Sequence, residues 1–93
     1  MFHHVVTFSF TDEAHIEEAA RRLRAMEGRV PSLRHIEVGI DTGRTPRSVH
    51  LALITRFEDE AGYRAYAVDP VHKDVLAYMA TVVASASVVD WET

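Results

Sequence analysis

Cysteine is absent from the 93-residue sequence. That excludes a disulfide framework, a thiolate zinc site and a cysteine nucleophile, and leaves stability to packing or to a partner chain. Long apolar runs are absent as well. No stretch approaches the roughly 18 residues a transmembrane helix needs. The opening MFHHVVTFSF has neither a basic n-region nor a small-residue cleavage site, so the expected location is the cytoplasm, away from any membrane. Positive charge is not in excess: 10 Lys and Arg stand against 14 Asp and Glu, a formal charge of −4. Arg21, Arg22, Arg24, Arg29, Arg34, Arg44 and Arg47 are interleaved with acids or spread over loops, a solubility pattern that argues against a nucleic-acid partner. No internal repeat or low-complexity segment is evident. What is there is ordinary, since 47% hydrophobic and 26% charged residues describe a globular chain, neither disordered nor membrane-spanning. The length predicts one domain, residues 1–93. Its core is thin, because a chain of this size buries only roughly 60 to 65% of its unfolded surface.

From Met1 to Phe10, His4, Val6, Phe8 and Phe10 share one parity and His3, Val5, Thr7 and Ser9 the other. Period two predicts a strand. Thr11 is placed to cap the helix that follows, with Asp12 and Glu13 where the helix dipole favours anions. Ile16, Ala19, Ala20, Leu23 and Met26 then fall on one helical face, and Gly28 stands where a C-terminal stop belongs. After the connector VPSL, Ile36, Val38 and Ile40 alternate with Glu37 and Gly39 in a second strand. DTGRTPRS is a polar, solvated loop without phosphate-loop spacing. The third strand, residues 49–57, is apolar on both parities, with Val49, Leu51, Leu53 and Phe57 on one and Ala52 and Ile54 beside His50 on the other. Asp59 opens a second helical region through Tyr66, interrupted at Asp69-Pro70. Proline disfavours helical geometry in the residue before it while suiting a first helical position. The helix resumes to about Val83 with Val75, Leu76, Met79 and Val83 inward, and ASVVDWE closes the chain as a fourth strand.

The order βαββαβ predicts a ferredoxin-like α+β fold, a four-stranded antiparallel sheet with both helices on one face. The other face needs a cover that the chain itself does not supply, because the third strand is apolar on both sides and Val5 lies on the helix-free side of the first. A second copy packed through that face is the expected partner, with Val5, Leu51 and Leu53 at the seam.

His72, in YAVDPVHKDV, lies four positions before Leu76 and seven before Met79, which puts it on the inward face of its helix. If the parities of His4, of His50 with Ala52 and Ile54, and of Asp90 with Ala86 and Val88 all face the helices, three imidazoles and one carboxylate meet in one pocket. A histidine oriented by an aspartate takes a proton near neutral pH. A tyrosine hydroxyl nearby would supply a donor to a developing enolate oxygen, and the set suits proton abstraction beside a carbonyl. The expected pair is His72 with Asp90, within about 2.6 to 3.2 Å, with His4 and His50 lining the same cavity. Neither a metal nor another cofactor is expected, since the three histidines come from separate elements with no close-spaced ligand pair. His3, His15 and His35 read as surface or interface, Tyr63, Tyr66 and Tyr78 as core aromatics by their residue type, and Trp91 as packing at the domain edge or a dimer seam.

At HHVVTFSF, GRVPSLRHIEVG, HLALITRFEDEAGYRAY, DPVHKDV and VVDWE the chain resembles the Dabb family, the stress-responsive dimeric α+β barrel domain. The resemblance covers essentially all of the chain and is most specific at DPVH. It implies pairing sheet to sheet as a homodimeric α+β barrel. One plant branch of that family is a polyketide cyclase that closes a linear polyketide by intramolecular aldol condensation, without a metal or other cofactor. By this resemblance His4, His72, Tyr66, Asp90 and His50 match positions of that branch, whereas Leu23 stands where a second active-site tyrosine is expected and Asp69 where the motif usually begins with histidine. The resulting reading is a homodimer with a small-molecule pocket between sheet and helices, lined by Val6, Phe8, Leu23, Ala52 and Ile54 beside His50. It acts as a cofactor-independent, cyclase-like or isomerase-like enzyme on a carbonyl compound, with His72, Asp90, His4 and Tyr66 catalytic. The alternative is a stress-associated structural or ligand-binding protein whose histidines only stabilise the fold. An open cavity reached by His72 separates the two.

Overall fold

A computed structural model describes residues 1–93. The first strand, β1 (Phe2–Phe10), follows the alternation of its sequence. A short 3-10 turn, Glu13–His15, leads into α1 (Ile16–Arg24), which buries Ile16, Ala19, Ala20 and Leu23. The cap of this segment is Asp12, whose carboxylate accepts the Ala14 N–H at 2.8 Å. Thr11 does not cap it. Its hydroxyl donates instead to the Val82 carbonyl, tying the turn to the far end of the last helix. Beyond α1, Gly28 takes φ +77° in the following turn, a conformation that side chains disfavour. The chain continues through β2 (His35–Ile40), β3 (Leu51–Phe57), α2 (Glu60–Val68), α3 (Pro70–Val82) and β4 (Val83–Glu92).

The Asp69-Pro70 break divides the second helical region in two. Asp69 has extended backbone, φ −65° and ψ 135°, as a residue before proline prefers, and Pro70 occupies the first turn of α3. The Asp69 carboxylate accepts the Val71 N–H at 2.8 Å, so this residue ends one helix and caps the next.

The four strands form one antiparallel sheet in the order β2-β3-β1-β4 with the helices against one face, the ferredoxin-like arrangement. Register decides which side chains share that face. Val6 lies opposite Leu53 and Val88, and His4 opposite Thr55 and Asp90, whereas Val5 lies opposite Ile54 and Val89. Directly opposed residues of an antiparallel pair point to the same side. Leu51 and Leu53 are therefore core residues, 1% and 3% exposed, and not part of a dimer seam. Ala52 and Ile54 join Val5 and Thr7 on the open face and do not line a pocket under the helices. The reason is physical: Leu51, Leu53 and Phe57 are the larger apolar set, and they meet Phe2 and Tyr66 in the buried cluster. Period two then sends their neighbours to the other side. Buried Thr55 is accommodated by a hydrogen bond from its hydroxyl to the His4 carbonyl, 2.9 Å.

The edge strand β4 leaves Val88, Val89 and Trp91 exposed. No helix is long and apolar enough to cross a membrane. The two parities of β3 give a direct test. Leu53→Asp places an unpaired carboxylate in the core and is expected to lower stability by about 3 to 5 kcal/mol in chemical denaturation. Ile54→Asp should leave the protomer folded.

Candidate active site

Between the sheet and the helices lies a cavity of about 370 Å³. Val6, Phe8 and Leu53 form its floor, Leu23 closes it from α1, and Leu76 and Met79 wall it from α3. Its polar groups are His4, Tyr63, Tyr66 and His72; the rest of the lining is aliphatic or aromatic. Val6, Phe8 and Leu23, named from the sequence as pocket residues, border this cavity.

His4 sits within β1 with Asp90 directly across on β4. The His4 Nδ1 is 2.5 Å from Asp90 Oδ1. The expected partner of Asp90 was His72, and the register corrects this. Opposed side chains on one face of an antiparallel pair have Cβ atoms only about 4.5 to 5.5 Å apart, so the carboxylate meets its cross-strand neighbour and not a helix above it. The His4 side chain is 10% exposed and that of Asp90 38%. The carboxylate stays open to solvent while the imidazole faces a largely apolar space.

His72 is oriented by its own turn. The break at Asp69-Pro70 folds the start of α3 back on the end of α2, and His72 Nδ1 comes within 3.3 Å of the Ala67 carbonyl. Its ring lies against that of Tyr66, centroids 3.9 Å apart. A carboxylate and a carbonyl can only accept, so in both histidines Nδ1 carries the donated proton. In the neutral ring the lone pair is then on Nε2, which no protein group engages in either case. Burial lowers the His72 pKa, and so does the nearby His4, against the Ala67 bond and Asp69, which raise it.

Tyr66 is 1% exposed and its buried hydroxyl has no hydrogen-bond partner among the protein groups. Burial, and after it the neighbouring Tyr63, pushes its pKa well up, so the phenol remains a donor. Tyr63, expected among the core aromatics, also lines the cavity, and its ring lies 4.7 Å from that of His4. The available signal was its spacing of three residues from Tyr66 on one helix, which puts both on one face.

His50 is elsewhere. It precedes β3, its Nδ1 accepts the Phe10 N–H at 2.9 Å, and it borders a polar hollow with Glu13, Arg44 and Ser48. Phe10 and His4 are roughly 20 Å apart along β1 at about 3.3 Å per residue. The third histidine therefore helps close one end of the sheet and does not reach the cavity. No cluster of three or more His, Cys, Asp or Glu side chains is arranged to hold a metal ion.

A pH prediction follows from His72. Its folded pKa lies below the ordinary 6.5, so the native state binds fewer protons than the unfolded chain, and stability present above about 6.5 is lost as pH falls through the interval between the two values. Thermal melts between pH 7.5 and 5 should fall less steeply for His72→Gln than for the unsubstituted chain.

The same arrangement of strands and helices occurs in solved structures. A dimeric ferredoxin-like protein of unknown function from Thermobifida fusca superposes with a TM-score of 0.87 at 24% identity, covering 99% of this chain and 90% of that one. A dimeric protein of unknown function from Bacteroides fragilis gives 0.84 at 24%, covering 99% and 95%. The hydroxynitrile lyase of Passiflora edulis gives 0.82 at 12% identity, covering 97% and 90%. No curated protein matches the sequence. Residues 2–93 match the profile of the stress responsive A/B barrel domain, and the chain belongs to that family, Dabb.

Proposed function

We propose that this chain is a cofactor-independent acid–base catalyst acting on a small carbonyl compound, cyclase-like or isomerase-like, in a homodimer formed through the open sheet face. The observation that carries the reading is the 2.5 Å His4–Asp90 bond at the border of an otherwise apolar cavity. Asp90 fixes the tautomer of His4 and stabilises its cation, leaving Nε2 as the base that removes a proton beside a carbonyl. The partnerless Tyr66 hydroxyl donates to the oxygen on which negative charge develops. His72, uncharged near neutral pH because its pKa is lowered, serves as a second group that can receive and return a proton. In this division of roles Asp90 orients His4, and the Ala67 carbonyl orients His72. That the hydroxynitrile lyase of Passiflora edulis shares the fold supports only that such a scaffold can carry an enzyme.

Dimerisation is supported by the apolar open face, where Val5, Ala52 and Ile54 continue into exposed Val89 and Trp91, and by the dimeric proteins of the same fold. The second reading, a non-catalytic ligand-binding protein, draws on the same apolar cavity.

The elementary step is measurable without knowing the substrate. In deuterated water the protein should accelerate exchange of α-protons on small aryl ketones and β-diketones, followed by proton NMR. His4→Ala and Asp90→Asn should each reduce that rate by roughly 100-fold or more while leaving the fold intact. Binding of these compounds with no acceleration by the unsubstituted chain would overturn the enzyme in favour of the binding protein. Light scattering at micromolar concentration should give twice the 10.5 kDa chain mass. Ile54→Asp should halve that value, because a two-fold interface would bury the new charge twice.

A further inference from the structure

The His4–Asp90 bond lies between two spaces that differ in lining. On one side is the apolar cavity, which His4 lines and Asp90 does not. On the other is an open cleft bordered by Phe2 and Trp91 together with the charged Glu60, Arg64, Asp90 and Glu92, in which His4 has no share. Tyr63 alone lines both. Its ring is held by Phe2 at 5.1 Å and by the edge of Phe57 at 5.7 Å, and it leans on the His4 imidazole at 4.7 Å and 43°. The first turn of α2 can bring it there because residue 62 is glycine. A Cβ at Gly62 would stand 3.3 Å from the Cβ of Phe57, a tight contact that one of the two would have to ease by a few tenths of an ångström. Asp59 fixes the same turn by accepting the Gly62 N–H at 2.9 Å.

We propose that Tyr63 is a positioning residue whose ring is the partition between cavity and cleft, keeping water of the cleft off the His4 ring and holding the imidazole so that Nε2 is presented to the cavity. This rests on the reading of His4 as the base, yet it makes a physical claim about the free protein. Hydrogen bonds are stronger at low effective dielectric, so removal of the ring would join the two spaces and let water compete for the bond that fixes the tautomer. The phenol oxygen is not what matters; the breadth of the ring is. The negative Asp90 and burial, burial foremost, raise the Tyr63 pKa, so the phenol stays neutral and adds no charge beside the pair.

The test is the exchange with water of the His4 Nδ1 proton, read by proton–nitrogen NMR on labelled, ligand-free protein. Tyr63→Phe, which keeps the ring, should retain the resonance and its protection. Tyr63→Ala should accelerate exchange roughly tenfold or more, as a protected site moves toward the freely opening end of local stability. Tyr63→Leu, measured alongside, keeps apolar volume should the alanine variant unfold, and is expected to accelerate exchange as well. Unchanged protection in Tyr63→Leu or in a folded Tyr63→Ala overturns the partition; so does loss of protection in Tyr63→Phe. In the α-proton exchange assay Tyr63→Ala should lower kcat with little change in KM, and Tyr63→Phe should restore it. Absence of turnover in the unsubstituted chain would remove the proposed activity and leave the NMR measurement to judge Tyr63 by itself.

Discussion

The pairing of β1 with a neighbour on each side is the constraint on which the site depends. Because the strand is hydrogen-bonded to β3 and to β4 along most of its length, one register fixes the facing side chains of three strands together. Period two makes this all or nothing, as a slip by one residue would carry His4 to the open face and Val5 under the helices. With the register as found, His4 and Asp90 are opposed on the helix side, and the apolar residues Val5, Ile54 and Val89 are opposed on the other. One set of backbone hydrogen bonds thus sets both a polar pair on the helix side and an apolar row on the open side.

The second constraint is the break at Asp69-Pro70. An uninterrupted helix would carry its side chains around its axis at a fixed pitch. The extended residue before the proline instead restarts the helix, and Asp69 satisfies its first amides. His72 then bonds back to Ala67 and lies against Tyr66. The aspartate that departs from the usual motif of the family does local work as a cap, a role for which carboxylates are well suited.

The electrostatics follow from these placements. Two imidazoles border one apolar space, and a second positive charge there is disfavoured by burial and by the first. Only one of them has a carboxylate partner, and that carboxylate keeps access to water. The pair therefore avoids the full desolvation penalty of a buried ion pair, while the phenols of Tyr63 and Tyr66 stay protonated because burial raises their pKa. The result is a largely apolar cavity bordered by two imidazoles and two phenols, with one carboxylate behind His4.

The amino-acid sequence by itself determined the elements, because alternation, helical spacing and a proline are local properties of the chain. The strand of His4, the helical face of Leu23 and the restart at Pro70 are all legible from residues a few positions apart. So was the need for a cover on the sheet, since β3 carries apolar residues at both parities. That same feature hid which parity faces the helices. With Leu51 and Leu53 on one side and Ala52 and Ile54 on the other, period two has no sign of its own, and only the register against β1 supplies one. The partner of Asp90 was hidden for the same reason, as it lies 86 positions from His4 in the chain and directly opposite it across the sheet. His50 shares a residue type with His4 and His72 but stands at the far end of β1. Composition cannot distinguish these histidines. Position along paired strands does, because it is set by hydrogen bonds between segments distant in sequence and by the packing of the larger side chains against the helices.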